Sequence, residues 1–285
     1  MSILGAHMSI AGGYYKAVNL AAEAGCDCVQ IFTKNNNQWN AKPLTDDDCQ
    51  KFREALQTTG ISHPLSHASY LINLASPDDA LREKSVAAFV TELQRAESLG
   101  IPYVVVHPGS FTTSNEADGI AHLISALDEV HRRLPKCKTQ CLLENTAGQG
   151  SNLGWDFQHL AQMIDGVQHP ERLGVCFDTC HAFAAGYPLD TVKNYRATMR
   201  QLDKAVGLKQ VKAFHLNDSK QPLGSKRDRH EHIGRGELGL EPFRNLLNDS
   251  RFKKIPMYLE TPKGTERGED LDAINLRTLR SLIGK

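Results

Sequence analysis

The chain lacks several features that would each assign it to a particular class of protein. No apolar stretch approaches the roughly 20 residues that a membrane span needs. The N-terminal segment has neither a basic region nor a long apolar run, so we expect neither export nor a place in the membrane. The seven cysteines are odd in number and follow no regular spacing. This predicts reduced thiols in a cytoplasmic protein rather than a disulfide framework.

The chain also lacks an excess of either charge, with 33 Lys and Arg residues against 33 Asp and Glu residues. A nucleic-acid-binding protein usually carries a basic excess, so the overall balance argues against such a partner. The local balance differs if some carboxylates bind metal ions, because bound cations are often the largest charges in a site. A neutral chain can therefore present a positive surface at one face.

Strand-like and helix-like segments alternate along the whole chain. Short runs rich in Val, Ile, Leu or Phe predict strands at residues 3–7, 28–32, 61–67, 103–107, 139–144, 173–178, 211–215 and 256–260. The alternation predicts a parallel sheet, and the first strand lacks the G-x-G-x-x-G turn typical of an open dinucleotide-binding sheet. We therefore predict an α/β fold, a single (β/α)8 TIM barrel over residues 1–285 with its active site at the C-terminal face of the strands.

Six of the predicted strands end on a side chain that can bind a metal ion. These side chains are His67, His107, Glu144, Asp178, His215 and Glu260. A single histidine or carboxylate at a strand end is more often a hydrogen-bonded structural group or a helix N-cap. In a closed parallel barrel, however, the C-terminal strand ends meet at one face. Six such side chains in register therefore indicate a metal centre.

Two short motifs add further candidate ligands. Asp178 and His181 are three residues apart across a strand-to-helix turn, and Asp228 and His230 are two apart in an extended segment, where they point the same way. The nine candidates are five His, two Asp and two Glu, a mixture that suits Zn, Mn or Fe rather than Mg or Ca. One catalytic zinc uses about three protein ligands, so this set predicts two or three ions. Cys180 is a less favoured additional ligand, and His232 is a less favoured replacement for His230.

Two kinds of chemistry use metal ions at the top of a barrel. Two ions about 3.5–4 Å apart can stabilise the attacking and the leaving oxygens of a phosphoryl displacement. The alternative is a metal-dependent sugar isomerase or epimerase on the same barrel, whose site is typically rich in carboxylates and has fewer imidazoles. The five histidines favour hydrolysis of a phosphoester.

Long motifs along nearly the whole chain resemble those of the endonuclease IV family, zinc-dependent apurinic/apyrimidinic endonucleases of base-excision DNA repair. They occupy residues 5–7, 32–35, 69–74, 107–110, 143–150, 178–187, 215–220, 224–236 and 259–262. The resemblance implies hydrolysis of the phosphodiester 5′ to an abasic site, which leaves a 3′-hydroxyl and a 5′-deoxyribose phosphate. It also implies removal of blocking groups from 3′ ends. The implied partner is double-stranded DNA with such lesions; no protein partner is implied, and we expect a monomer.

The resemblance further implies a centre of about three zinc ions, with one ligand set for each ion. The three sets are His67, His107 and Glu144; Glu144, Asp178, His215 and Glu260; and His181, Asp228 and His230. Glu144 would bridge the first two ions. The expected catalytic residues are Glu144, Glu260, His107 and Asp178.

The DNA contacts implied by the resemblance lie in three loops. The candidate residues are Lys34, Asn35, Asn37, Gln38, Tyr70, Leu71 and Arg229. Tyr70 and Leu71 stand where the family has side chains that wedge into the duplex, while Asn37 stands where an arginine that inserts into the base stack is expected. A non-catalytic DNA-damage binding module would keep the wedge but lose Glu144 or Glu260. Both carboxylates are present, which favours an enzyme.

Overall fold

Eight parallel strands close into a barrel in the computed structural model, which describes residues 2–284. The barrel strands are β1 (Leu4–His7), β2 (Cys28–Phe32), β3 (Ser62–His67), β4 (Tyr103–Val106), β5 (Gln140–Glu144), β6 (Leu173–Asp178), β7 (Val211–His215) and β8 (Met257–Leu259). Neighbours in the chain pair in parallel, and β8 pairs with both β7 and β1, which closes the ring. The predicted (β/α)8 TIM barrel is confirmed.

Helices follow the strands and cover the outside of the barrel. Within residues 2–284 the α-helices are α1 (Tyr14–Glu23), α2 (Asp46–Thr59), α3 (Asp79–Leu99), α4 (Glu116–Arg133), α5 (Phe157–Gly166), α6 (Thr179–Ala185), α7 (Val192–Val206), α8 (Glu241–Leu247) and α9 (Leu271–Ser281). Local signals in the sequence explain their bounds. Thr45 and Asp48 form a capping box at the start of α2, and Gly100, with φ of 78°, ends α3.

The interior of the barrel is filled below the candidate ligands. Seven buried side chains, one from each strand from β2 to β8, form this layer: Cys28, Leu65, Val105, Leu142, Cys176, Ala213 and Tyr258. Strand β1 contributes Gly5, where an added Cβ would lie 1.9 Å from the Cys28 carbonyl oxygen. The barrel is thus a packed core rather than a pore. A ligand can reach the polar side chains only from the C-terminal face.

The long loops after β7 and β8 contain short antiparallel pairs that the sequence did not indicate. Asp218–Ser219 pairs with His230–Glu231, and Thr265–Glu266 pairs with Glu269–Asp270. All seven cysteines are unbonded thiols, as predicted. No helix within residues 2–284 has the length and apolar character needed to cross a bilayer.

Candidate metal centre

The predicted ligands converge at the C-terminal ends of the barrel strands. His67, Glu144, Asp178 and His215 are the last residues of their strands, while His107 and Glu260 immediately follow β4 and β8. His181 is contributed by α6, and Asp228 and His230 are contributed by the loop after β7. All nine side chains therefore face the same end of the barrel.

Glu144 lies at the centre of the group and is fully buried. Its Oε2 atom is 3.1 Å from Nε2 of both His67 and His107, and its Oε1 atom is 2.8 Å from Nδ1 of His215. Burial alone would raise the pKa of the Glu144 carboxyl, but the neighbouring imidazoles of His215 and His107 hold that pKa well below its usual range. The carboxylate is ionised, and its two oxygens face different ligand sets, as a bridging ligand requires.

The other two ligand sets lie next to Glu144. Nδ1 of His215 is 3.2 Å from Glu260 Oε2, and the potential donor atoms of Glu144, Asp178, His215 and Glu260 all lie within 4.8 Å of one another. In the third set, Asp228 is 3.1 Å from Nε2 of His181 and 3.3 Å from Nε2 of His230. Asp178 Oδ2 is also 3.8 Å from His230 Nε2, so this carboxylate lies between the second and third sets.

Four of the five histidines donate a hydrogen bond from one ring nitrogen to a backbone carbonyl oxygen or to a side-chain amide oxygen. His67 and His181 donate from Nδ1 to the carbonyl oxygens of Ala68 and Asn145, at 2.7 and 2.9 Å. His230 donates from Nδ1 to the carbonyl oxygen of Glu260, and His215 donates from Nε2 to a side-chain oxygen. The other nitrogen of each ring therefore faces the ligand cluster. This is the usual arrangement of metal-binding histidines.

The carboxylates of the cluster have no basic partner other than histidine. Among residues 2–284, the ion pairs of Glu144, Asp178, Asp228 and Glu260 are all with imidazoles. Burying carboxylates is costly unless a cation compensates them. Divalent ions supply that charge and displace the imidazole protons when they bind. The donor set therefore fits metal ions of the zinc type.

Two asparagines that the sequence did not single out orient these ligands. Asn217 donates from Nδ2 to Asp178 Oδ2 at 2.6 Å, and its Oδ1 accepts from the Glu260 amide at 2.9 Å. Asn145 donates to the Asp178 carbonyl oxygen and accepts from the Asp178 amide. Both asparagines are buried. Their signal in the sequence was an amide side chain just after a strand-end ligand.

The two weaker ligand candidates are placed differently. The Cys180 sulfur lies within 4.8 Å of donor atoms of Asp228 and His230, but burial raises the pKa of its thiol to about 12. A neutral thiol is a poor metal ligand. His232 uses Nδ1 to accept a hydrogen bond from Asn275 Nδ2 at 3.0 Å. The carboxylates and imidazoles of the nine-residue set thus remain the candidates.

A buried carboxylate, Asp218, holds the loop that carries Asp228 and His230. The Asp218 carboxylate accepts four backbone N–H bonds of 2.7–3.0 Å, from Ser219, Gly234, Gly236 and Leu238. Its strand pairs with His230–Glu231, so the same short segment aligns a candidate ligand. An added Cβ at Gly236 would lie 2.3 Å from the Ser219 carbonyl oxygen, which explains why glycine is required there.

Asp218→Asn is expected to loosen this loop while leaving the barrel folded. The amide nitrogen would face backbone donors instead of accepting from them, which costs about 1–3 kcal/mol for each buried hydrogen bond lost. We expect the metal content to fall by about one ion per chain and backbone hydrogen exchange over residues 228–238 to accelerate. The matched control is Asp78→Asn at the exposed N-cap of α3. Unchanged metal content and exchange would contradict this role of Asp218.

Most of the candidate DNA-contacting residues lie at the surface, with one exception. Asn35, Asn37, Gln38, Tyr70 and Arg229 are exposed, and Leu71 is half-buried. The exception is Lys34, which is buried, lies 3.5 Å from Glu92 and donates to the Gln38 carbonyl oxygen at 2.6 Å. Its ammonium group faces the protein interior, where it supports the loop through the Gln38 carbonyl oxygen.

Tyr70 stands beside the candidate metal ligands at the opening of the site. Its ring centroid is 5.2 Å from that of His67 and 5.7 Å from that of His107, yet 57% of its surface is exposed. Tyr70, His107, His181, Asp228, His230 and Glu260 line a cavity of about 380 Å³. This cavity can admit a group of the size of a sugar phosphate and exposes it to all three ligand sets.

Comparisons with known proteins agree with this geometry. Residues 18–282 match the family model described as xylose isomerase-like TIM barrel. The chain is 52% identical to a probable endonuclease 4 of Geobacter sp. (strain M21), over 99% of both chains. It is also similar to the crystal structure of endonuclease IV from Thermus thermophilus, with a TM-score of 0.86, 38% identity and 98% of each chain covered. A D-tagatose 3-epimerase-like protein matches with a TM-score of 0.74 over 98% of this chain and 96% of that one, but at 19% identity this likeness shows the fold alone.

Proposed function

Because the chain belongs to the endonuclease IV family of nucleases, we propose that it uses about three bound zinc ions to hydrolyse the phosphodiester 5′ to abasic sites in double-stranded DNA. One observation carries the proposal. The buried Glu144 carboxylate directs Oε2 at His67 and His107 and Oε1 at His215 and His181, and two further ligand sets lie beside it. This arrangement supports several ions around one phosphate rather than a single structural ion.

Each ion would be held by one of the three ligand sets defined above, with Glu144 shared. Zinc bound there would supply Lewis-acid stabilisation of the charge that develops on the phosphate oxygens. All four expected catalytic residues belong to the ligand cluster itself: Glu144, Glu260, His107 and Asp178. Their carboxylates and imidazole are fixed before substrate arrives, so little reorganisation is needed during the reaction.

Selectivity for abasic sites follows from the cost of extruding a nucleotide. A nucleotide without a base lacks stacking and pairing, so its removal from the helix costs the least free energy. The 380 Å³ cavity is lined by candidate metal ligands and by Tyr70, which Leu71 follows in the chain. Tyr70 and Leu71 would fill the gap left in the duplex, at an unstacking cost of a few kcal/mol.

Removal of blocking groups from 3′ ends is proposed as a second use of the same site. The cavity is open at the barrel face, so it does not require DNA to continue beyond the scissile phosphate. A phosphate or sugar fragment on a 3′ terminus would meet the same ligand sets as an internal phosphodiester. Both reactions break a phosphoester bond to the 3′ oxygen and leave a 3′-hydroxyl.

The sugar isomerase or epimerase alternative shares the barrel but does not account for the whole site. Such a reaction needs ligands for one or two ions, whereas His181, Asp228 and His230 form an additional set. It also does not need an exposed tyrosine beside the ligands. These two features favour the nuclease.

A duplex with one tetrahydrofuran abasic analogue tests the proposed reaction. We expect a single cut 5′ to the analogue, with a 3′-hydroxyl that a DNA polymerase can extend, and no cut in the matched intact duplex. A ketohexose should not be epimerised under the same conditions. Equal cleavage of both duplexes, or epimerisation without any incision, would contradict the proposal.

The first long loop and the Tyr70 loop are expected to contribute unequally to DNA binding. Asn37 offers neither the charge nor the planar stacking surface of an arginine, whereas the exposed Tyr70 ring can stack on a base. Tyr70→Ala should weaken affinity for abasic DNA by about 1–3 kcal/mol, and Asn37→Ala should change it little. Both variants should keep the metal content of the wild type.

An equilibrium binding assay at fixed salt measures both variants. Asn40→Ala, in the same exposed loop, is the control for nonspecific effects of the substitution. An equal loss of affinity for Asn37→Ala and Tyr70→Ala would contradict the expected unequal contribution and show that Asn37 itself contributes to DNA binding.

A further inference from the structure

Gln30 is a fully buried amide in the middle of the barrel, and all of its side-chain hydrogen-bonding groups are used. Its Nε2 atom is 2.6 Å from Glu260 Oε1 and 2.9 Å from His7 Nδ1, and its Oε1 atom is 2.8 Å from His215 Nε2. A carboxylate only accepts hydrogen bonds, so the atom facing Glu260 must be the amide nitrogen. The orientation of the Gln30 side chain is therefore fixed.

This orientation determines which atoms of two candidate metal ligands face the cluster. Because Gln30 Oε1 only accepts, His215 donates to it from Nε2, and Nδ1 is the ring nitrogen that faces Glu144 and Glu260 and is available to bind an ion. Gln30 Nε2 donates a hydrogen bond to Glu260 Oε1. The other carboxylate oxygen, Oε2, therefore faces the cluster, 3.2 Å from His215 Nδ1. One amide thus selects the ring nitrogen of His215 and the carboxylate oxygen of Glu260 that are presented to the cluster.

We propose that Gln30 is a positioning residue for the ion held by Glu144, Asp178, His215 and Glu260, setting zinc affinity through the orientation of His215 and Glu260. This inference rests on the proposed zinc centre and extends it. Gln30 itself is separated from that centre by the two ligands it orients.

The position of Gln30 in its strand explains why an amide is present there. Side chains alternate across a strand, so Cys28 and Gln30 point to the same side of β2, and Cys28 belongs to the layer that fills the barrel. Gln30 lies one level above this layer, between the apolar filling and the ligands. An apolar side chain of similar size would fill the space but could neither accept from His215 nor donate to Glu260.

Gln30→Leu and Gln30→Met test the inference, because both keep much of the volume and remove both hydrogen-bonding functions. The control is Gln140→Leu, on β5, where the amide donates to the Glu171 carbonyl oxygen on the outside of the site. Zinc affinity is measured on the protein alone by competition with a chromogenic chelator. Circular dichroism of each metal-free protein checks the fold.

We expect both Gln30 variants to bind their weakest zinc ion 10- to 100-fold less tightly than the wild type, the range typical of losing an outer hydrogen-bond partner of a metal ligand. At limiting zinc, kcat for abasic incision should fall with KM for DNA unchanged, and excess zinc should restore kcat. A merely structural defect would not be reversed by zinc. Gln140→Leu should bind zinc as the wild type does.

The outcomes separate this inference from the proposed function. Wild-type zinc affinity in a folded Gln30→Leu or Gln30→Met protein would overturn the positioning role alone. A wild-type protein that binds no zinc would overturn the zinc centre itself. A kcat that stays low at saturating zinc would show that Gln30 acts by other means than zinc affinity, which also overturns the inference.

Discussion

Glu144→Gln is expected to lower kcat for incision of abasic DNA by roughly 10²- to 10³-fold, the loss associated with removing one charge-stabilising group from an active site. The amide keeps one acceptor oxygen and places an NH₂ group among imidazoles that lie 2.8–3.1 Å from the wild-type carboxylate. It cannot bridge two cations. We therefore expect the bound zinc to decrease along with the activity.

The fold should survive this substitution, because the side chain changes little in size and the barrel filling lies below it. Circular dichroism and the kcat measured under saturating DNA are the two readouts. Glu54→Gln, on the exposed surface of α2, is the matched control and should retain full activity. A Glu144→Gln enzyme within tenfold of the wild type would rule out a bridging role for this carboxylate.

Removal of the metal ions is expected to have the second largest effect, on stability as well as on activity. Elemental analysis of the purified protein should find about three zinc ions per chain. A ligand at 1,000 times its Kd stabilises the folded state by about 4.1 kcal/mol, and each kcal/mol shifts Tm by about 2–4 °C in a domain of 150–250 residues. Chelation should therefore lower Tm by roughly 10 °C or more.

The physical reason is the set of carboxylates paired only with imidazoles. In the metal-free protein the carboxylates repel one another unless the imidazoles between them are protonated. Without the metal ions, the buried negative charge is less well compensated, and the folded state is therefore less stable. Differential scanning calorimetry before chelation, after chelation and after addition of zinc measures the effect. One ion or fewer per chain after zinc supplementation would contradict the trinuclear centre.

The fold could be predicted from the sequence because its signals are local and repeated. Most barrel strands are short apolar runs, and β2, β6 and β7 have the bounds predicted for them. The strands ending at His107 and Glu260 are shorter than predicted, since these residues leave the ladder to face the cluster. Helix α6 was not predicted, because seven residues are too few to establish a helical period.

The position of the candidate ligands was also predictable, because parallel strands bring their C-terminal ends together whatever the details of packing. Their hydrogen-bonding partners were not. Asp218 acts through four backbone amides, most of them distant in sequence, and Gln30 meets Glu260 only once the barrel closes. Such contacts leave no periodic or spacing signal, since they depend on which strands become neighbours.

The burial of Lys34 was not predictable for a related reason. A lysine in a polar loop near a presumed DNA surface suggests a phosphate contact, but the ammonium group instead pairs with Glu92, on the buried face of α3. Fifty-eight residues separate these two positions, so the sequence alone does not connect them. Exposure of a charged side chain in a loop cannot be inferred from its residue type.

The most direct test of the account follows one preparation of the enzyme through loss and recovery of its metal. Incision of a duplex with a single abasic site is measured on the purified protein, after complete chelation, and after stepwise addition of zinc. We predict one cut 5′ to the lesion, loss of that cut on chelation, and recovery as the zinc content returns to about three ions per chain. Undiminished incision by the metal-free protein would contradict it.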